Sequence, residues 1–450
     1  MKKLLATILA LVMALGLCSV SWAVDAGKVV VHGIKYNDKD DNEFATFEAA
    51  YAALKPVIES VCDTDVLGQG TAKSVEAFKA VFTDVDSDGN ATITYKISGN
   101  VTYDETSCPN LLTMGRKASH YGNDLHFINF KFAGADENRG ATLTVNSDIT
   151  LPYEWWGENT TTAISFENLT ITGSAPNGLY PYQKFFEGIS FSVNNCTLKG
   201  IKIYNCSNVG GSYSITNSTL DGTGAPGNAY AIHLQGNETA PLTITISGNE
   251  ISGYDRGVNI DQNTAQATVS NNTISVAPGY SCVQISRVGK IEIKNNDLTL
   301  NGSNAFTIHE VALKTGGTPD ISISNNTITG TGYLLYDDVK ANGGSLDSET
   351  DTPKIVIKME NNTIPSTVDT TKGVKAGNVV ANDSQVVSNA VREGITVLQT
   401  PPRYYYHPTT DTKADETKGS PKTFDAGVGI YAVTAVLSVT GMAWTAKKRH

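Results

Sequence analysis

The sequence predicts an all-β fold in which a solenoid, a parallel β-helix, occupies residues 90–365. A short phrase recurs at steps of 22 to 36 residues, which indicates a repeat architecture. Alternating apolar residues precede each phrase, as in YSITN and LTITIS, and helical blocks are absent from this stretch. We therefore expect short strands joined by tight turns. The phrases ENLTI, NNCTL, TNSTL, SGNEI, SNNTI, KNNDL, SNNTI and ENNTI end at Ile171, Leu198, Leu220, Ile251, Ile274, Leu298, Ile328 and Ile364.

An asparagine marks the turn in each phrase. Asn tolerates positive φ and bonds its own backbone, so Asn-Asn or Asn-x predicts a tight turn after each strand. We interpret the repeated asparagines as an internal ladder, each amide bonding to the turns above and below. The phrases resemble the right-handed parallel β-helix repeats of pectate-lyase-like proteins and of many bacterial surface proteins. This resemblance implies the fold, a right-handed parallel β-helix, more strongly than any activity.

Residues 24–89 are predicted to cap the N-terminal end of the solenoid, because an open end exposes apolar side chains. The stretch FATFEAAYAALKPVIESV predicts a capping helix that Pro56 kinks or ends. Its apolar residues at helical spacing are Phe44, Phe47, Tyr51, Leu54 and Val57.

The two ends of the chain predict export and anchoring. Residues 1–23 combine Lys2-Lys3, an apolar core and the small residues Ser21 and Ala23, which is typical of a signal peptide. Residues 426–446 contain no ionisable side chain and span about 31 Å as a helix, enough to cross a membrane. The basic residues that follow the span fit a cytoplasmic stop. Residues 366–419 are predicted to form a C-terminal cap and a polar stalk.

Residues 420–450 resemble the cell-wall sorting signal of Gram-positive surface proteins, a Leu-Pro-x-Thr-Gly type motif before an apolar span and a basic tail. Pro421 and Thr423 match the motif, whereas Ser420 and Phe424 depart from it. The resemblance implies a sortase as partner and attachment at Thr423. Without cleavage, the span serves as a membrane anchor.

Charge and cysteine content exclude several classes of partner and site. The formal net charge is −11, and every acidic residue lies between residues 24 and 425. This balance argues against nucleic acid and against anionic lipid as partners. The cysteines show neither a zinc spacing nor a disulfide framework, although one Cys196–Cys206 disulfide is an open alternative.

A second strand in each rung places polar side chains on one outer face. Aligning the segments that begin at Ala231, Gly257, Cys282, Ala305 and Tyr333 puts Phe306 beside Leu334 in an inward column, and Leu335 outward. The ionisable residues on or beside this face supply the acids and the base that a polysaccharide lyase or glycoside hydrolase needs. These candidate catalytic residues are Asp261, Arg287, His309, Glu310, Asp337 and Asp338. The alternative is an ordinary solvated surface.

Two aromatic segments form a competing candidate ligand site, since aromatic rings on loops can stack on sugars. The residues are Tyr153, Trp155, Trp156, Tyr180 and Tyr182. Their alternative role is a satellite core under a long insertion.

Calcium is the one cofactor that the sequence suggests. Asp84, Asp86, Asp88 and Gly89 have the spacing of a calcium loop, but Tyr95 stands where such a loop places its bidentate Glu. An acidic turn before the next strand is the alternative.

These features predict a protein of a Gram-positive cell surface that acts as an adhesin or glycan-binding module. Its expected partner is a polysaccharide, a host-surface glycan or a host protein. An anchored polysaccharide lyase or glycoside hydrolase is the alternative. The fold alone does not choose between them.

Overall fold

The computed structural model describes residues 27–61, 75–108, 128–149, 163–175, 178–179, 189–206, 211–236, 242–309, 319–337, 355–369, 385–386 and 395–400. Within them the chain is a parallel β-helix, as the repeats predict. Three stacks of parallel strands surround one apolar core.

The N-terminal segment holds two strands and two helices. Strand β1 (Lys28–His32) pairs antiparallel with β2 (Asn42–Phe44) and with β3 (Ala91–Ser98). Helix α1 spans Phe47–Val61 and helix α2 spans Val75–Val81. The predicted helix is present, but it starts after Phe44, and Pro56 lies inside it.

The Phe47 ring of α1 joins the helix to the first rungs. It lies 5.3 Å from Tyr95, 5.9 Å from Phe132 and 6.2 Å from Tyr103, measured between ring centroids. The Phe132 ring in turn stacks on Phe166 at 5.0 Å. Aromatic rings therefore fill the core where the solenoid begins.

The first sheet is the longest stack and has its apolar residues turned inward. Its strands are β3, β5 (Ile128–Gly134), β7 (Ala163–Glu167), β9 (Ile189–Asn194), β12 (Gly211–Thr216), β15 (Leu242–Ser247), the later part of β17 (Arg256–Ser270), the later part of β19 (Ser281–Lys294), β21 (Asp320–Ser324), β23 (Ile355–Glu360) and β26 (Ile395–Thr400). Strand β25 (Gln385–Val386) pairs antiparallel with β26. The stack thus continues past residue 365, where the sequence repeat fades.

The second sheet begins after the asparagine turn. Its strands are β4 (Asn100–Tyr103), β6 (Ala141–Val145), β8 (Leu169–Gly173), β10 (Thr197–Lys199), β13 (Thr219–Asp221), β16 (Glu250–Ser252), β18 (Thr273–Ser275), the early part of β20 (Asp297–Ile308) and the early part of β22 (Thr327–Asp337).

The third sheet carries the polar outer face. Its strands are β11 (Ile203–Cys206), β14 (Tyr230–Gln235), the early parts of β17 and β19, the later parts of β20 and β22, and β24 (Val368–Asp369).

The asparagine ladder is confirmed at the corner between the first and second sheets. The first residue of each Asn-Asn pair has positive φ, between 53° and 57° at Asn271, Asn295, Asn325 and Asn361. The second residue is buried, and its side-chain oxygen accepts a hydrogen bond from the backbone N–H of the preceding rung. The ladder residues are Asn249, Asn272, Asn296, Asn326 and Asn362.

The Arg139 side chain links three rungs at the N-terminal side of this corner. Its Nε and Nη2 donate to Asn195 Oδ1 at 2.9 and 2.7 Å, and Nη2 also donates to the Asn217 carbonyl at 2.7 Å. Its Nη1 lies 3.3 Å from the hydroxyls of Thr197 and Thr219. One side chain therefore bonds to residues that are up to 80 positions away from it in the sequence.

Cys108, Cys196 and Cys282, the cysteines whose side chains the structure describes, are buried and free. Cys108, Cys196 and Cys282 are thiols, so the alternative of a Cys196–Cys206 disulfide is wrong. Cys196 occupies a ladder position, where its backbone N–H donates to Ser218 Oγ at 3.1 Å. Its side chain belongs to the core of the solenoid.

No helix within the described ranges is long and apolar enough to cross a membrane. The predicted signal peptide (1–23), most of the stalk and the span 426–446 with its sorting signal, including Pro421 and Thr423, lie outside the residues that the structure describes.

Candidate functional site

The outer face of the third sheet carries an unusual group of buried polar residues. Parallel register places His233 beside Asn259, Asn259 beside Gln284, and Gln284 beside Thr307. Asn259 is only 3 % exposed and Thr307 also 3 %, although both lie on the outer side of their strands. This face therefore differs from an ordinary solvated surface, which was the alternative prediction from the sequence.

His233 lies between two tyrosine rings. Its ring centroid is 5.1 Å from that of Tyr204 and 5.0 Å from that of Tyr230. Burial, with smaller contributions from Lys202 and Arg256, lowers the pKa of His233 to about 4 against the opposing effect of Asp261. The imidazole is therefore neutral at pH 7, with one ring nitrogen as donor and the other as acceptor.

The Arg256 guanidinium lies between the rings of Tyr230 and Tyr280. Its guanidinium carbon lies 4.9 Å from the Tyr230 ring centroid and 5.1 Å from that of Tyr280, which is cation–π geometry. Arg256 Nη1 donates to the Tyr230 hydroxyl at 2.7 Å, and that hydroxyl donates to Gln284 Oε1 at 3.1 Å. The Tyr280 hydroxyl donates to Asn228 Oδ1 at 2.7 Å. These bonds fix the positions of the rings.

Four buried polar atoms of this face have no hydrogen-bond partner among the described residues. They are His233 Nε2, Arg256 Nε, Asn259 Oδ1 and Ser286 Oγ. Unpaired buried polar atoms are uncommon in native proteins because each costs free energy. Together they offer donors and acceptors within one or two rungs of each other, which suits a ligand that carries hydroxyl groups.

Asp261 and Arg287 are the predicted catalytic residues that the structure brings together. Arg287 Nη2 lies 3.0 Å from Asp261 Oδ2 and 3.1 Å from Oδ1, and Nε lies 3.1 Å from Oδ1. Both side chains are largely buried. Arg287 has a φ of 48°, which fits the predicted start of a turn. The pair cancels its own charge beside Ser286.

The remaining predicted catalytic residues are only partly described. His309 follows β20, and its backbone N–H donates to the Ile285 carbonyl at 2.9 Å. Asp337 ends β22 and pairs with Ile308, but its side chain is outside the described part of the chain. Glu310 and Asp338 also lie outside it. The structure shows that Asp261 and Arg287 lie together, and a catalytic role for any of the six residues stays a prediction.

The predicted alignment of the last rung is wrong by one residue. Phe306 pairs with Leu335 and Thr307 with Tyr336, so Leu335, which we predicted to point outward, is 1 % exposed. The Tyr336 ring instead stacks on Tyr333, with 6.1 Å between centroids. The pairing of β20 with β22 also contains an irregularity between Asn301 and Ser303, where β20 has an additional residue.

The predicted aromatic ligand site is outside the described residues. This applies to Tyr153, Trp155, Trp156, Tyr180 and Tyr182. They stay a prediction.

The predicted calcium loop is not supported. Asp86 Oδ1 accepts hydrogen bonds from the backbone N–H groups of Asp88 and Asn90, and Oδ2 accepts one from Asn90 Nδ2. These bonds lower the pKa of Asp86, which closes a local turn. Asp84, Asp86 and Asp88 do not form a metal-ligating group, nor do any three His, Cys, Asp or Glu residues in the ranges that the structure covers.

Comparison with known families gives one match. Residues 167–364 match the family model described as periplasmic copper-binding protein (NosD). This segment covers most of the ladder and the third sheet, and the similarity fits the parallel β-helix. No curated protein and no solved structure matches the chain.

The described residues of the matched segment do not fit copper. Copper sites in proteins use clusters of thiolate, thioether and imidazole ligands. Here Cys196, Cys282 and Met359 are buried in the apolar core, and no described group of three His, Cys, Asp or Glu residues can hold a metal ion. Burial raises the pKa of both cysteines to about 12, which keeps them protonated.

Sequence reasoning pointed to this face but left out Tyr204, Tyr230 and Arg256. Tyr230 and Arg256 each stand just before the aligned segments, and Tyr204 belongs to the preceding rung, so the alignment of strands left them out. A usable signal was present, because Tyr230 begins β14 and Tyr280 directly precedes β19, two strands further along the same sheet.

Proposed function

We propose that this protein is an exported β-helix protein held at the cell surface, and that it binds carbohydrate through the outer face of the third sheet. The NosD family is named as periplasmic, which supports export. Anchoring by the span 426–446, or through Thr423 by a sortase of a Gram-positive cell, completes the proposal. An adhesin that recognises a host-surface glycan fits this arrangement.

The observation that carries the binding role is the group of unpaired polar atoms among tyrosine rings. These atoms are covered in the structure, so binding includes a local movement of side chains that opens them to the ligand. Sugar hydroxyls both donate and accept, and a sugar admitted in this way can pair with His233 Nε2, Asn259 Oδ1 and Ser286 Oγ. Tyrosines supply rigid apolar area with little loss of conformational entropy, which favours carbohydrate contacts. A metal ion cannot accept from the donors of this group of atoms, and a purely apolar ligand would leave all of them unpaired.

Binding is favoured over catalysis by the state of Asp261. Each of its carboxylate oxygens already accepts from the Arg287 guanidinium. A glycosidase needs one carboxyl group to give a proton and a second to act as base or nucleophile. A carboxylate paired in this way is better suited to holding the site in shape. The lyase or hydrolase is the second candidate function.

We also infer that helix α1 caps the solenoid. Its inward residues Phe47, Ala50 and Leu54 are fully buried, and the Phe47 ring packs on the aromatic residues of the first rungs. This contact covers apolar area that an open end exposes to water.

The test is retention of the purified full-length protein on a glycan array, followed by affinity measurement. Tyr230→Phe removes one hydroxyl and keeps the ring, and His233→Ala removes the central imidazole. We expect both to weaken binding at least about tenfold. Thr245→Ala, on the outer side of the first sheet, is the matched control and leaves the affinity unchanged.

Two results decide between the functions. Failure of the protein to retain any glycan on the array contradicts the carbohydrate proposal. Release of reducing or unsaturated ends from a bound polysaccharide, abolished in Asp261→Asn, makes the protein an enzyme.

A further inference from the structure

Arg256 carries a positive charge that no described acidic residue balances. It takes part in no salt bridge within the described residues, and its Nη1 donates a hydrogen bond to the Tyr230 hydroxyl. Two tyrosine rings flank the guanidinium, and its Nε is buried without a partner. Arg256 is half-buried, so its charge has lost part of its hydration without gaining a counter-charge, and the site has an interaction left to make.

The nearest acids in sequence and register are occupied. The carboxylate of Asp255, which precedes Arg256, accepts a hydrogen bond from the backbone N–H of Asn228. Asp261 is bound by Arg287 through both of its oxygens. Neither carboxylate serves as the partner of Arg256.

Two cations lie near the His233 imidazole. Lys202 Nζ lies 5.7 Å from the centroid of the Tyr204 ring, and Arg256 lies over the Tyr230 ring; both rings pack on His233. Beside the larger effect of burial, the Asp261 carboxylate raises the pKa of His233 and the two cations lower it, but Asp261 is already paired with Arg287. On a chain with a formal net charge of −11, these two cations favour an anionic group at this position.

We propose that Arg256 binds an acidic substituent of the glycan, a carboxylate, sulfate or phosphate group, while His233, Asn259 and Ser286 bind the sugar hydroxyls beside it. This inference rests on the proposed carbohydrate-binding function and names the ligand class. The planar guanidinium presents paired donors that match these oxyanions. The flanking rings of Tyr230 and Tyr280 hold it in place for this contact.

The experiment compares dextran, carboxymethyl-dextran and dextran sulfate as probes for the full-length protein, together with sulfate ion in a thermal melt at constant ionic strength. We expect the acidic dextrans to bind at least about tenfold more tightly than dextran, and sulfate to raise the melting temperature. Arg256→Gln is expected to remove both effects, and Arg256→Lys to keep part of each. Lys358→Gln removes an exposed cation of the first sheet and serves as the control for general charge.

The outcomes separate this inference from the function on which it rests. Equal effects of the acidic probes and of sulfate on the wild type and on Arg256→Gln overturn the inference, while glycan retention on the array leaves the proposed function standing. A preference lost equally in Lys358→Gln overturns it as well, since general charge then explains the binding. Sulfate binding at Arg256 without retention of any glycan overturns both the carbohydrate function and the inference. A carboxylate preference over sulfate, or the reverse, identifies the substituent.

Discussion

The side-chain oxygen of Asn296 accepts two hydrogen bonds from Asn272, one rung earlier: from the backbone nitrogen at 3.0 Å and from Nδ2 at 2.9 Å. Asn296 Nδ2 in turn donates to the Val269 carbonyl at 3.0 Å and to Asn326 Oδ1 at 2.9 Å. A single amide thus satisfies the buried corners of three successive rungs.

Asn296→Ala is expected to destabilise the protein by roughly 2–5 kcal/mol, because it leaves the Asn272 N–H and the Val269 carbonyl buried without partners. Urea unfolding followed by circular dichroism measures the change. Asn295→Gly, at the neighbouring exposed residue with positive φ, is the matched control, since glycine adopts that conformation without strain. A loss for Asn295→Gly as large as for Asn296→Ala contradicts the role of the ladder.

Arg139→Ala is expected to cost about 1–3 kcal/mol of unfolding free energy, since it removes charge-assisted bonds to Asn195 and to the Asn217 carbonyl. Arg139→Lys should recover only part of the loss because an ammonium cannot reproduce the guanidinium fork. Lys131→Ala, which removes the exposed pair with Glu167, is the comparison and should cost no more than about 1 kcal/mol. A larger decrease in melting temperature for Lys131→Ala than for Arg139→Ala would contradict the stabilising role of Arg139.

Phe132→Ala is expected to destabilise the protein by about 3–5 kcal/mol, because Phe132 joins the Phe47 ring of the helix to Phe166 in the next rung. The measurement is chemical unfolding, with hydrogen exchange of helix α1 as a second readout. Faster exchange in α1 together with the loss of stability is the expected signature. Unchanged protection of α1 would show that the helix does not depend on this contact.

The Cys196 thiol is expected to resist alkylation in the folded protein. Burial raises its pKa from 9.0 to about 12, so it binds its proton more tightly in the folded than in the unfolded chain. Its contribution to stability is therefore complete below pH 9 and is lost as the pH rises toward 12. Mass spectrometry after iodoacetamide at pH 8 should find Cys196 modified only in denaturant, and Cys196→Ala should lessen the alkaline loss. Rapid labelling of the native protein would refute the buried position.

The shift at His233 has the opposite consequence for pH. Because its pKa falls from 6.5 to about 4 on folding, the unfolded chain binds a proton more readily between these values. Stability from this residue is complete above pH 6.5 and decreases as the pH falls toward 4. Unfolding free energies measured from pH 7 to 4 should therefore decline less in His233→Gln than in the wild type. The same decline in unfolding free energy with falling pH for both proteins would contradict the lowered pKa of His233.

Regular features could be predicted from the sequence because they repeat. The Asn-Asn pairs and the alternating strands gave the solenoid, the turn conformation and the ladder. The burial of Asn259 and Ser286 could not be predicted in this way, since it depends on neighbouring side chains across the sheet and not on strand alternation. The register at Leu335 was missed because Leu334 and Leu335 are both apolar and both buried, so a period-two pattern does not tell them apart. Tyr230 and Arg256 were missed for a related reason: they stand outside the aligned columns.

The asparagine ladder also has a direction. In each step a later residue accepts from the backbone of an earlier one, as Asn326 does from Asn296 and Asn362 from Asn326. A ribosome delivers the earlier residue first, so a newly made corner holds an exposed N–H until the following rung arrives to accept it. During synthesis the last completed rung therefore always carries the unpaired backbone N–H. A chain whose synthesis stops between two rungs exposes this N–H and its unpaired strand edge, which can pair with another incomplete chain.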